Sequence, residues 1–303
     1  MAREVHNIGA SVRARLLDRA RAQKTDFQIL LTRYALERLL YRLSVSDQRE
    51  RFVLKGAMLF AVWRDDPFRP TRDLDLLGHG DPEPAAIAES VRSICSMAVP
   101  DDGVVFDVAG IEAAPIRDEA EYAGVRVKTS ATIAGARVPI QIDVGFGDAI
   151  TPGALEIEYP ALLDAPAPAL RAYPPETVVA EKTEALVSLG VANSRMKDFY
   201  DLWVIAQTFT FEGGVLAKAI QRTFERRRAS WPEQLPAGLS DAFAHEKDTQ
   251  WRAFLARDRL GAAPASLVEV NGDLRAFLQP VLAREELTTW PSGGPWTHKE
   301  AVS

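Results

Sequence analysis

Two acidic residues two positions apart, Asp73 and Asp75 in Thr71-Arg72-Asp73-Leu74-Asp75-Leu76, have a spacing that could do chemistry. Along a strand, side chains alternate between faces, so both carboxylates share one face while Leu74 and Leu76 point into a core. Two carboxylates about 6–7 Å apart repel each other unless a cation lies between them. Oxygen-only ligands of this kind suit Mg²⁺ or Mn²⁺. An Asp-x-Asp pair is also an ordinary feature of solvated strand ends, so the pair alone is weak. Asp143, in Val138-Pro-Ile-Gln-Ile-Asp-Val-Gly, strengthens it. Val138, Ile140, Ile142 and Val144 form one apolar face and Asp143 lies on the other. If the two strands pair, three carboxylates converge, enough to hold two metal ions; if not, Asp143 is a solvent-facing residue.

Two further polar residues interrupt apolar stripes. Lys182 falls among Val178, Leu186 and Leu189 at helical offsets, where a lysine costs free energy unless it meets an anion or snorkels to water. A bound triphosphate would be such an anion. Asp198 aligns with Leu202, Ile205 and Phe209, with Asp201 at offset three. An aspartate in the first helical turn is also a good cap, so both readings stand. Arg195 and Lys197 lie just upstream, within reach of phosphate or water.

The elements that must position these residues follow from periodicity. Residues 11–43 read as two helices meeting near Lys24-Thr25-Asp26, with Phe27, Leu30, Tyr34, Leu36, Leu40 and Leu43 as the apolar stripe of the second. Residues 52–63 are apolar around a turn at Lys55-Gly56 that opens a short helix. A turn at Asp65–Pro70 precedes a strand over 72–77 and a helix from 83 to about 97. Strands are expected over 104–111, 122–133 and 137–146, the last two joined through Ala134-Gly135-Ala136. A helix starts at Pro174-Pro175-Glu176 and stops at Gly190, and the chain stays helical to about residue 287. The class is α+β: a mixed β-sheet flanked by helices, then a helical C-terminal lobe. The Pro/Ala-rich stretch Asp164-Ala-Pro-Ala-Pro-Ala-Leu reads as the linker, giving domains of 1–165 and 166–303.

Composition sets limits. The 303 residues are 47% hydrophobic and 26% charged, enough for a real core, with Pro, Gly and Ser gathering only in the tail from about Thr288. A single cysteine, Cys95, excludes an internal disulfide, and the four histidines are widely separated. Both facts fit a reducing, cytoplasmic setting. The N-terminus lacks the apolar run of a signal peptide, and no stretch of eighteen apolar residues predicts a membrane span. The net charge of -6 does not mark a nucleic-acid binder, but residues 182–228 carry eight basic and five acidic side chains and end in Arg226-Arg227-Arg228. Such a face could hold a phosphate backbone or simply be solvated.

The run Leu54-Lys55-Gly56-Ala57 followed by Arg69-Pro70-Thr71-Arg72-Asp73-Leu74-Asp75-Leu76 resembles the AbiEii/AbiGii-type toxins of the nucleotidyltransferase superfamily. Ile142-Asp143-Val144, Glu181-Lys182, Arg195-Met-Lys197-Asp198-Phe-Tyr-Asp201-Leu202 and Trp251-Arg-Ala-Phe254-Leu fit in order, so the resemblance spans roughly residues 25–260. It implies a small polymerase-like site on a nucleotidyltransferase-like sheet, acting within a toxin–antitoxin system. Relatives add nucleotides to the acceptor end of tRNA. By that resemblance Asp73 and Asp75 match the metal ligands, Thr71 the adjacent hydroxyl residue, and Lys182 and Asp198 the essential lysine and aspartate of the helical lobe. Lys55, Gly56, Thr71, Arg72, Lys182 and Asp201 are the candidate nucleotide contacts. The superfamily carries Gly-Ser or Gly-Gly where this chain has Gly56-Ala57, leaving backbone N–H groups to meet phosphate, and the interval from Gly56 to Asp73 is long.

The expected chemistry is two-metal phosphoryl transfer. One Mg²⁺ or Mn²⁺ on Asp73 and Asp75 clamps the triphosphate. A second, shared with Asp143, activates the attacking hydroxyl, Lys182 meets the leaving pyrophosphate, and Asp198 either orients Lys182 or contacts the nucleotide. The expected partners are a nucleoside triphosphate, an RNA acceptor, foremost the tRNA 3′ end, and a cognate antitoxin. A protein side chain as acceptor, or a non-catalytic nucleotide-binding protein, are the alternatives.

Overall fold

A computed structural model describes residues 7–63, 71–116 and 124–298. The chain divides into two compact units, one of residues 1–147 and 155–172, the other of 148–154 and 173–303.

The first unit begins with α1 (Ile8–Gln23) and α2 (Phe27–Ser44), capped by the side chains of Asn7 and Asp26 and separated at Lys24, whose φ is 51°. Then come β1 (Phe52–Lys55), a 3₁₀ turn, the short α3 (Phe60–Trp63), β2 (Asp73–Gly78) and α4 (Pro84–Cys95). Strands β3 (Val105–Phe106), β4 (Glu112–Pro115), β5 (Gly124–Ile133), β6 (Ala136–Phe146), β7 (Leu155–Glu158) and β8 (Ala169–Ala172) complete it. The strand order is β3-β5-β6-β2-β1-β8-β7, with β4 also on β5. β2 runs parallel to β6 and antiparallel to β1, so the sheet is mixed. Leu39 and Leu43 of α2 and Val91 and Ile94 of α4 meet Leu74, Leu76, Ile142 and Val144 around one small void. The helices therefore cover the apolar face of β2 and β6, and the aspartates occupy the opposite face.

Three expectations need correction here. Residues 52–55 form a strand that periodicity did not announce, and the turn expected at Lys55-Gly56 follows it as the 3₁₀ turn that leads into α3. Phe52, Val53 and Leu54 are all buried, so the strand lacks the alternation that marks a half-exposed one. Of the strand expected over 104–111 only the two residues of β3 form; the chain then turns where Asp107 accepts from Gly110 N–H at 3.0 Å, and β4 starts beyond the span at Glu112. The Pro/Ala-rich segment does not hang free. Arg15 pairs with Asp164 at 2.8 Å, buried Arg38 donates to Pro166 O at 2.9 Å, and the segment runs into β8. Arginines from α1 and α2 thus satisfy backbone and side-chain acceptors that would otherwise need water. The Asp65–Pro70 turn lies outside the described residues.

The second unit holds α5 (Pro175–Leu189), α6 (Met196–Thr208), β9 (Phe211–Glu212), α7 (Gly213–Arg226), α8 (Asp241–Asp258), α9 (Leu267–Leu282) and β10 (Thr289–Trp290). Pro174 and Pro175 open α5, and Gly190, with φ 50°, ends it. Trp251 is fully buried beside Tyr200 and Phe254. The tail after Thr288 is ordered through His298, although its Pro/Gly/Ser content pointed the other way. Trp290 and Trp296 pack on Phe277 and donate their indole N–H groups to Ala206 O and Phe277 O. Two buried indoles outweigh the loop-forming residues between them. Among the described residues no helix is long and apolar enough to cross a membrane.

Candidate active site

Parallel pairing of β2 with β6 sets Asp73 opposite Gln141 and Asp75 opposite Asp143. Asp73, Asp75 and Asp143 each offer a carboxylate oxygen, and these oxygens lie within 4.8 Å of one another. All three side chains are half-buried, while Leu74, Leu76, Ile142 and Val144 are at most 3% exposed. The strand period thus splits the pair of strands into a core side and an acidic side. Oxygen donors from three carboxylates on a rigid sheet fit a hard divalent cation such as Mg²⁺. It is the one such group among the described residues.

The neighbouring elements shape this surface closely. Lys55, at the end of β1, stands opposite Asp75 in the antiparallel register. Gly56 follows with φ 74°, and a Cβ added there would lie 2.0 Å from Oδ2 of Asp75. Only glycine supplies both the left-handed backbone and the close approach. Thr71 donates its hydroxyl to Oδ1 of Asp73 at 2.5 Å, and Arg72 is exposed beside it. Arg69 and Pro70 lie outside the described residues.

Asp143 has a partner that strand periodicity alone did not single out. Arg126 on β5 sits directly opposite it across the antiparallel pair. Its Nε donates to Oδ1 at 2.8 Å and its Nη2 to Oδ2 at 2.7 Å, and Gln141 adds a longer contact of 3.3 Å to Oδ2. Arg126 alternates with buried Val125 and Val127, so its face was readable; which acid it faces depends on register.

In the helical unit Lys182, Asp198 and Asp201 come together. The ammonium of Lys182 lies 2.7 Å from Oδ1 of Asp198 and 2.8 Å from Oδ2 of Asp201, and Arg195 lies 2.7 Å from Oδ2 of Asp198. The aspartates are 3% and 2% exposed, so Asp198 is neither a solvated residue nor a simple helix cap. Burial works against the Lys182 ammonium, yet Asp198 and Asp201 more than offset it and hold its pKa above the usual lysine value. Burial likewise opposes the charged Asp198, but Lys182 and Arg195 draw its pKa below the ordinary carboxylate range. The anion that a lysine on an apolar stripe requires is thus found within its own unit.

A second polar cluster in this unit was not foreseen. Arg227 contacts Glu184 at 2.7 Å, Glu181 at 3.5 Å and Asp148 at 3.6 Å, and the Tyr173 hydroxyl donates to Glu181 at 3.2 Å. Burial, with Glu181 and Asp148 beside it, pushes the Tyr173 phenol far up, so it serves as a neutral donor. The basic run Arg226-Arg227-Arg228 had suggested a phosphate-binding or solvated face, but its middle member is turned inward.

Residues 38–279 match the family described as nucleotidyl transferase AbiEii toxin, type IV TA system. The chain belongs to this family. It is accordingly a nucleotidyltransferase toxin of a toxin–antitoxin system, with a nucleotide as substrate and an antitoxin as counterpart. Among solved structures, JHP933 from Helicobacter pylori aligns at 16% identity with a TM-score of 0.49, covering 86% of this chain and 94% of its own. A second H. pylori structure aligns with the same identity and score over 96% of its length. No curated protein sequence matches the chain.

Proposed function

We propose that this family member is a divalent-metal-dependent enzyme of the cytoplasm that transfers nucleotides from a nucleoside triphosphate to an RNA acceptor, the tRNA 3′ end foremost. The single observation that carries the metal dependence is the gathering of Asp73, Asp75 and Asp143 oxygens within 4.8 Å on two adjacent parallel strands. Mg²⁺ or Mn²⁺ held there would neutralise phosphate charge and lower the pKa of the attacking hydroxyl. Asp73 and Asp75 would hold the ion that meets the triphosphate, and Asp143 would join them in holding the ion that meets the attacking hydroxyl. Thr71 fixes the rotamer of Asp73 through its hydroxyl. Gly56 brings backbone close to Asp75, where N–H groups can meet phosphate oxygens. Lys55 and Arg72 supply positive charge toward the nucleotide.

Lys182 is the cation assigned to the departing pyrophosphate, with Asp198 and Asp201 keeping it protonated. That assignment rests on the family resemblance and on a charge state secured by two carboxylates. Incubating the purified protein with each α-labelled nucleoside triphosphate, Mg²⁺ and total tRNA tests the proposal. Label should appear in RNA, and chelation or Asp75→Asn should abolish it. Label in protein instead would move the acceptor to a side chain. No transfer to either would refute the proposal.

A further inference from the structure

The Arg126–Asp143 pair says how the third carboxylate is used. Asp143 stands on the acidic face directly beside Asp75, yet both of its oxygens accept hydrogen bonds from one guanidinium. A carboxylate offers about four lone-pair positions, so this fork leaves room for a cation on the remaining ones. The guanidinium nevertheless lies where its charge opposes an incoming ion. It also fixes the plane of the carboxylate, because Arg126 and Asp143 are directly opposed residues on neighbouring strands and neither backbone can slip without breaking the ladder.

We propose that Arg126 is the positioning residue of Asp143, holding its carboxylate in place for the cation site while lowering that site's affinity for a free divalent ion. The ion then enters together with the triphosphate, whose negative charge compensates the guanidinium. This rests on the metal reading of Asp73, Asp75 and Asp143, and the test separates the two.

The experiment is a charge cycle read by Mn²⁺ binding to the full chain without nucleotide, followed by electron paramagnetic resonance. In a water-like dielectric, a unit charge about 6 Å from a divalent ion changes its affinity by about tenfold. Arg126→Gln should bind Mn²⁺ about tenfold more tightly than the unaltered protein. Asp143→Asn should bind it about tenfold more weakly, since the site loses one negative charge while the guanidinium stays. The double variant should return to within about threefold of the starting affinity. Arg126→Lys keeps the charge but loses the fork that fixes the carboxylate plane, so it should bind Mn²⁺ about threefold more weakly than the unaltered protein. A purely structural role for Arg126 moves the melting temperature but not this ordering. Equal affinities for Arg126→Gln and the unaltered protein overturn the inference. If Arg126→Gln does not fold, Asp143→Asn and the double variant decide: equal affinities for those two overturn it as well. Adding Asp75→Asn to the tightest binder should remove binding; if it does not, the metal reading itself fails.

Discussion

In the sheet unit, Asp73, Asp75 and Asp143 are half-exposed and held by strand register. In the helical unit, Asp198 and Asp201 are almost fully buried and enclose the Lys182 ammonium. Both regions gather aspartates near basic side chains, but burial divides their uses. A half-exposed acidic surface on a rigid sheet keeps ligand oxygens accessible and tolerates the loss of one charge. A buried ion cluster cannot lose a member without stranding its partner in a poor solvent for charge. The first arrangement suits exchange of a ligand, and the second maintains a charge state.

That contrast can be broken experimentally, most severely by Asp75→Asn. Transfer should fall about 10³-fold, the consequence of losing several kcal/mol of metal-mediated stabilisation. Fold stability should move by less than about 1 kcal/mol, as expected at a half-exposed site. Comparing turnover with urea midpoints checks both halves; a large loss of stability would remove the distinction between the clusters. Asp198→Ala should do the reverse at the level of folding, destabilising the helical unit by about 3–5 kcal/mol because Lys182 loses a buried counter-charge. Five of the six tryptophans lie beyond residue 200, so intrinsic fluorescence in urea reports mainly on that unit.

Gly56→Ala sharpens the comparison from the other side. The left-handed backbone alone costs about 1–2 kcal/mol, and the new methyl must displace the Asp75 carboxylate. Transfer should drop by more than the stability loss accounts for, measurable as turnover at a temperature where the variant remains folded. The smallest effect is in pH. Asp198 has a lowered pKa, so its contribution is full above the ordinary aspartate value near about 4 and is lost as pH falls through that value and below. Lys182 has a raised pKa, so its contribution is present below about 10.4 and is lost only as pH rises beyond it. Urea midpoints of the helical unit should therefore decline below about pH 4, and Asp198→Asn should flatten that decline.

Much of the sheet unit was legible in order. Alternation placed Asp73 and Asp75 on one face and Asp143 on the polar side of its own strand, and the boundaries of β2, β5 and β6 fell within two residues of expectation. β1 was not legible, since its apolar run on both faces carries no period, and the start of β8, Ala169-Leu170, was read as the end of a linker. Lys182 drew attention because lysine is costly on an apolar stripe, and Asp198 because it aligned with Leu202 and Ile205. That Asp198 meets Lys182 was one of two readings left open, and only the packing of their two helices decides it. The same holds for Arg126, visible as a charged residue on a strand but with no partner until register was known.

The chain alone therefore determined which side chains are candidates for the chemistry and which face each occupies, because the periods of strand and helix are local properties of the backbone. Only the tertiary structure decided which charges meet. The parallel pairing of β2 with β6, the antiparallel pairing of β5 with β6 and the packing of α5 against α6 are long-range choices, and electrostatic energy depends on the separations those choices set.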